Sequence, residues 1–293
     1  VEPIDVELVR AGVVEARHRV HAVAVSEGAV VASAGDPELF AFLRSAAKPI
    51  QALPVVRARP DLDPEEIAIA SASHLARPEQ LAAVRSLLTK APASEDELEC
   101  GPDPTRIEHN CSGKHAAMLA LCRARGWEAE GYSLAGHPCQ EAMLAVVAEA
   151  AEVLPSSIPT GIDGCGVLTF GLTLERMAHA FSRLALLDEG ASVVDAVRSH
   201  PELIRGPGSP DTELMRALPG WAAKGGAEAV LCAVSADGLA LTLKVEDGTG
   251  RALRPALAAF LERLGIPAGD LGRMPLRNSR DEVVGEIRAR GNE

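Results

Sequence analysis

Apolar and polar residues alternate over short stretches near the start of the chain, as in Val6-Glu7-Leu8-Val9-Arg10, and a valine-rich run follows at Val20–Val25. Both predict sheet strands, because side chains on an extended backbone point to opposite faces in turn. Phe40 to Val56 predicts a helix with Ser45 near its start, its limits blurred by Pro49 and Pro54. Ile67 to Ser73 is a short apolar run, strand or helix, that delivers a Ser-His pair to a loop. Helices are expected over Pro78–Leu88, Lys114–Arg125 (stopped by Gly126), Pro138–Val153, Glu175–Leu187, Ser192–His200 and Arg251–Leu264. Three glycines in Gly161-Ile162-Asp163-Gly164-Cys165-Gly166 predict a tight loop. Ala229–Val234 and Leu239–Val245 are strands joined by a hairpin at Ser235-Ala236-Asp237-Gly238. The second places Thr242 and Lys244 on one face, opposite Leu241, Leu243 and Val245.

Strands at both ends of a helical middle predict an α/β (α+β) fold: one catalytic unit over residues 1–293. Its sheet lobe would take about 1–70 and 220–293, and its inserted helical lobe about 71–219. No apolar run reaches the ~20 residues of a membrane-spanning helix, and no membrane partner is expected. The first residues carry neither a basic segment nor an apolar stretch, so the expectation is no signal peptide and a cytoplasmic protein. Six cysteines without a Cys-x-x-Cys pair fit reduced thiols. A net charge of −12 and 3% aromatic residues argue against a nucleic-acid partner.

Lysine is scarce: five occur against 24 arginines, at 48, 90, 114, 224 and 244. Arginine stays protonated, whereas a desolvated lysine can lose its proton and act as a base. Ser45-Ala46-Ala47-Lys48 places a hydroxyl and an amine three residues apart, on one helix face, where the amine can activate the serine. A surface helix pair is the plain alternative. Cys111-Ser112-Gly113-Lys114-His115 and Cys165 offer two thiols that suit a zinc ion if the fold unites them, with His115 adjacent; otherwise they pack as small apolar side chains. Asp163 sits in the glycine-rich loop as if presented to a small polar ligand. Ser73 offers a second hydroxyl or a polar strand end. Lys244 is either a cleft residue or a solvated one, and Lys224-Gly225-Gly226-Ala227-Glu228 reads equally well as a turn.

Taken in order, Arg44–Pro54, Ser71-Ala72-Ser73-His74, Asn110–His115, Gly161–Gly166, Lys224–Glu228 and Leu243–Gly248 resemble the bacterial asparaginases of the rhizobial (class 3) type. The resemblance implies a fold like that of serine β-lactamases and penicillin-binding proteins, a sheet flanked by helices with a mainly helical lobe. It implies hydrolysis of L-asparagine to L-aspartate and ammonia, and a homodimer. Its two serine–lysine pairs map onto Ser45 with Lys48 and Ser73 with Lys244. Its zinc position, a tuner of substrate binding rather than of hydrolysis, maps onto Cys111, Lys114 and Cys165. Asp163 matches a substrate-contacting carboxylate, with Ser112, His74 and Gly164 as further substrate-binding candidates. Where the family usually reads Ser-His-Ser-Gly-Glu, this chain has Ser73-His74-Leu75-Ala76-Arg77. Glutaminase, a β-lactam-interacting serine hydrolase and a non-catalytic amino-acid or metal-binding relative are the alternatives. The β-lactam-interacting reading shares the Ser-x-x-Lys motif, but no Ser-Asp-Asn or Lys-Thr-Gly triplet follows; between asparagine and glutamine, pocket length rather than motif decides.

Overall fold

The computed structural model describes residues 1–291. Three long strands open the chain, β1 (Ile4–Arg10), β2 (Val13–Ser26) and β3 (Ala29–Ala34), followed by a short β4 (Phe40–Phe42). A 3-10 turn at Arg44–Ala47 leads into α1 (Lys48–Ala58), and then come α2 (Pro64–Ala70), α3 (Pro78–Lys90), α4 (Ser112–Arg125) and α5 (Pro138–Ala151). Two strands, β5 (Thr160–Ile162) and β6 (Leu168–Thr173), precede α6 (Leu174–Arg183), α7 (Gly190–Ser199), α8 (Pro201–Ile204) and α9 (Pro210–Ala217). The chain returns to strands in β7 (Ala222–Gly226), β8 (Val230–Val234) and β9 (Ala240–Val245), then α10 (Leu253–Arg263), β10 (Met274–Arg277) and β11 (Val283–Ala289).

The main sheet is antiparallel and runs β10-β11-β1-β2-β9-β8-β7, with β3 also paired to β2. Every residue of β8 is buried, so both sheet faces are covered there. α6 packs on β2, β8 and β9, and α10 on β1, β2, β9 and β11. The mixed α/β architecture, an antiparallel sheet flanked by helices, is the one the sequence predicts. α1 is buried from Lys48 to Val56 and packs against α2, α4, α5 and α7, which is the environment of a helix apolar all round. Among the described residues no helix is long and apolar enough to cross a membrane.

Two local expectations change. The helix expected from Phe40 begins only at Lys48, because Phe40–Phe42 pairs in register with Thr173–Gly171 of β6. Sheet pairing wins there over local propensity. The segment that reads as a turn at Lys224-Gly225-Gly226 is β7, an edge strand, and the turn follows it. Gly226 lets β7 lie close to the segment before α1: a Cβ at Gly226 would stand 2.6 Å from the Leu43 carbonyl oxygen.

Candidate active site

Ser45 stands on a turn under tension. Arg44 has a left-handed φ of 50°, unusual for a residue with a side chain, and the chain around it is pinned. The Leu43 N–H donates to the Phe170 carbonyl (2.9 Å), and the Arg44 N–H donates to Thr169 Oγ1 (3.1 Å). The Arg44 side chain donates through Nε to Asp163 Oδ1 at 2.8 Å. Asp163 thus anchors the turn that carries Ser45.

Lys48, the first residue of α1, is fully buried. Its Nζ donates to the Ala72 carbonyl and to Ser73 Oγ, the latter at 3.0 Å. Burial lowers its pKa first of all; Cys111 opposes that effect and Lys114 adds to it. Ser73 follows α2 and is held from the far side of the site. Its N–H donates to the Ile204 carbonyl (2.8 Å), and Arg205 Nη1 donates to the Ser73 carbonyl (2.9 Å).

Ser45 and Ser73 line one cavity of about 390 Å³, together with Asn110, Arg205, Asp211, Lys224, Glu228 and Gly248. The cavity's lysine is Lys224, not Lys244. Lys224 is 1% exposed on β7, and its Nζ donates to the Gly225 carbonyl and lies 3.8 Å from Asp211 Oδ2. Burial pushes its pKa down to about 7; Asp211 resists this, while Lys48 and Arg205 reinforce it. Lys244 lies on β9 between His21 and Val230, bonded to the Val245 carbonyl and beside Glu228, Asp247 and Glu246. Alternation along β9 predicts the face of Lys244 but not the strand whose lysine lines the cavity with the serines.

Other expected site residues take supporting places. His74 is buried, and its Nδ1 accepts the Ala76 N–H (3.1 Å), which leaves the proton on Nε2 to donate to Ser112 Oγ (2.7 Å). Burial first, then Lys48, pushes its pKa down to about 4, so the ring is neutral. Ser112 Oγ in turn donates to the Ile107 carbonyl (2.7 Å). Gly164 is exposed, and its N–H donates to Asp163 Oδ1 (2.8 Å). Among the described residues the cavity wall includes none of Asp163, Ser112, His74 and Gly164.

The altered segment after Ser73 has a physical reading. Ala76, where the resembled family has glycine, adopts φ 55°. Gln80, fully buried on α3, holds this segment: its Oε1 accepts from the Leu75 (2.8 Å) and Arg77 (3.1 Å) N–H groups. Its Nε2 donates to the carbonyls of Glu202 and Arg205, both at 2.8 Å. One amide therefore clips the Ser73 loop to the Arg205 loop.

Cys111, Lys114 and Cys165 converge beneath the site. Lys114 Nζ lies 3.2 Å from Cys165 Sγ, and both thiols are buried. A hydrogen bond from Cys165 lowers the Cys111 pKa well below a normal thiol value, against burial and with help from Lys48 and Lys114. The same bond, then burial, raises that of Cys165. Burial works against the Lys114 ammonium, but Cys165 and Cys111 hold its pKa up. Two thiolates and an amine suit a borderline-soft ion such as zinc, whose binding would release those protons. Among the described residues no three His, Cys, Asp or Glu side chains form a metal cluster; the amine beside Cys165 is that of Lys114. His115 packs its ring on Tyr132, with Nδ1 2.8 Å from the phenol oxygen, and its buried Nε2 makes no hydrogen bond among the described residues.

Two serines and a buried lysine thus line one cavity, and a second buried lysine is bonded to one of those serines. Residues 6–289 match the profile of the L-asparaginase II family, and the chain belongs to that family, one of amidohydrolases. A search of curated proteins found no match. Similar solved structures include a probable glutaminase from Bacillus subtilis complexed with 6-diazo-5-oxo-L-norleucine. It is 12% identical, with 85% of each chain covered and a TM-score of 0.39. Another is the octameric penicillin-binding protein homologue from Pyrococcus abyssi, 10% identical, covering 85% of this chain and 74% of that one, TM-score 0.42.

Proposed function

We propose that the protein hydrolyses the side-chain amide of L-asparagine through an ester on Ser45. The supporting observation is the single cavity shared by Ser45, Ser73 and Lys224, with Lys48 at 3.0 Å from Ser73. As a neutral amine, Lys48 directs its N–H groups to the Ala72 carbonyl and Ser73 Oγ, which frees its lone pair for the proton of Ser45. The Ser45 oxygen attacks the amide carbon, and the proton passes through Lys48 and Ser73 to the departing nitrogen. The carbon–nitrogen bond breaks and ammonia leaves. The Ser45 N–H, on the strained turn, would bind the oxyanion; such a donor is worth ~3–4 kcal/mol. Lys224 then takes a proton from water, the water attacks the ester, and aspartate is released with Ser45 reprotonated. Lys224 therefore takes the place in the second pair that the resemblance gave to Lys244.

A zinc ion would be held by Cys111, Lys114 and Cys165. It would fix those three side chains in place beneath the site, while the proton transfers run through Ser45, Lys48, Ser73 and Lys224.

The test is ammonia release from asparagine and from glutamine, with trapping of the ester by acid quench and mass spectrometry. Asparagine should be turned over, the acyl mass should fall on the Ser45 peptide, and Ser45→Ala should lose at least about 10³-fold in kcat. Label on Ser73 would reverse the assignment of the nucleophile. Glutamine turnover at the expense of asparagine would overturn the substrate.

A further inference from the structure

Four charged side chains stand in the cavity wall: Arg205, Asp211, Lys224 and Glu228. Asp211 is committed to the protein. Its Oδ1 accepts the Thr212 N–H and its Oδ2 the Gly225 N–H, each at 2.9 Å, with Lys224 beside it. The Arg205 side chain donates from Nη1 to the Ser73 carbonyl and makes no other hydrogen bond among the described residues.

Glu228 is different. Among the described residues it accepts no hydrogen bond, and its charge supports the neighbouring Lys244 ammonium. It is nonetheless held in place at a cost. Glu228 and Ala229 both adopt left-handed backbone, φ 58° and 53°, in the turn from β7 to β8. Residues with a Cβ adopt that backbone rarely. Opposite stands Gly248, φ 77°, where an added Cβ would lie 2.6 Å from Glu228 Oε2. The wall is bare of side chain where this carboxylate rests. Asp163, the other carboxylate near the site, is occupied by Arg44 at 2.8 Å.

We propose that Glu228 and Arg205 form a clamp for the head group of a free amino acid, Glu228 taking the α-ammonium and Arg205 the α-carboxylate. The clamp rests on the amidohydrolase reading above and adds the substrate class: small amides carrying an unblocked zwitterionic head group. A charged donor–acceptor pair at each end rejects analogues lacking either charge, because the unmatched protein group is then left without its partner.

The experiment compares three amides: asparagine, succinamate (no α-ammonium) and 3-aminopropanamide (no α-carboxylate). In the wild type, asparagine should exceed each analogue in kcat/KM. Glu228→Gln should shrink the asparagine-to-succinamate ratio by about 10-fold or more, and Arg205→Lys should shrink the asparagine-to-3-aminopropanamide ratio. Melting temperatures near wild type confirm folded variants, which the exposure of Glu228 favours. A Glu228→Gln variant that loses activity on asparagine and succinamate by one common factor would overturn the clamp. So would collapse of the first ratio in Asp163→Asn instead. If the wild type releases no ammonia, the amidohydrolase reading is what fails. Calorimetric binding of aspartate then judges the clamp: weaker binding to Glu228→Gln supports it, and unchanged binding sinks it.

Discussion

Lys224 gives the sharpest test, because the fold buries it beside one carboxylate and among several cations. Its pKa falls from 10.5 to about 7, with burial the leading cause, Asp211 opposing, and Lys48 and Arg205 adding to the fall. Cys111 also opposes it at longer range. A lowered lysine pKa means that the unfolded chain binds more protons than the native one between those two values, so stability rises with pH across that window. Below pH 7 both states are protonated and the full penalty applies, on the order of 5 kcal/mol for this shift. Above 10.5 both are neutral and the penalty is gone. Lys224→Met removes the titrating group, so its stability relative to wild type should be most favourable at pH 6. That advantage should shrink by about 3 kcal/mol by pH 9, since each pH unit inside the window is worth 1.36 kcal/mol. Urea unfolding of both proteins at pH 6, 7, 8 and 9 measures this. The same variant should lose about 10²–10⁴-fold in kcat, the usual range for a missing general base. Parallel stability curves would refute the reasoning: they would mean that Asp211 keeps Lys224 protonated and that it cannot take a proton from water at neutral pH.

Gln80→Ala removes an amide that satisfies four backbone groups around Ser73 and Arg205; the midpoint of urea unfolding should report a loss of roughly 3 kcal/mol or more. Activity of the remaining folded enzyme should fall mainly in kcat, because Ser73 loses its fixed position. Zinc content by metal analysis should drop in Cys111→Ser and Cys165→Ser; equal content in wild type and both variants would exclude these ligands.

Much of this molecule is legible along the chain. α4, α5, α7 and α10 fall within a few residues of their expected ranges, since each carries a long apolar period and a recognisable end. The β8–β9 hairpin is equally clear from its turn residues. Local pattern does not predict β4, β5, β6, β7, β10 or β11 as strands. β7 is short and glycine-rich, and it becomes a strand only because β8 supplies its hydrogen bonds. β10 is a four-residue edge strand that contains Pro275, and β11 is interrupted by Gly285, so neither carries a long apolar alternation in its residues.

The candidate site divides in the same way. Sequence alone determined the chemical inventory: scarce lysines next to serines, two cysteines flanking a lysine, and a family-wide order of motifs. Those are matters of residue type and spacing, which need no long-range contact. Tertiary structure decided the partners. Lys48 reaches Ser73, 25 residues away, because α1 and the end of α2 pack together. Lys224 rather than Lys244 lines the cavity because β7 is the edge strand drawn against the Ser45 turn, through a gap that only Gly226 leaves open. Asp163 is turned to Arg44 by the pairing of β5 and β4 with β6. Which charges meet depends on contacts between residues far apart in the chain, and local pattern carries no record of them.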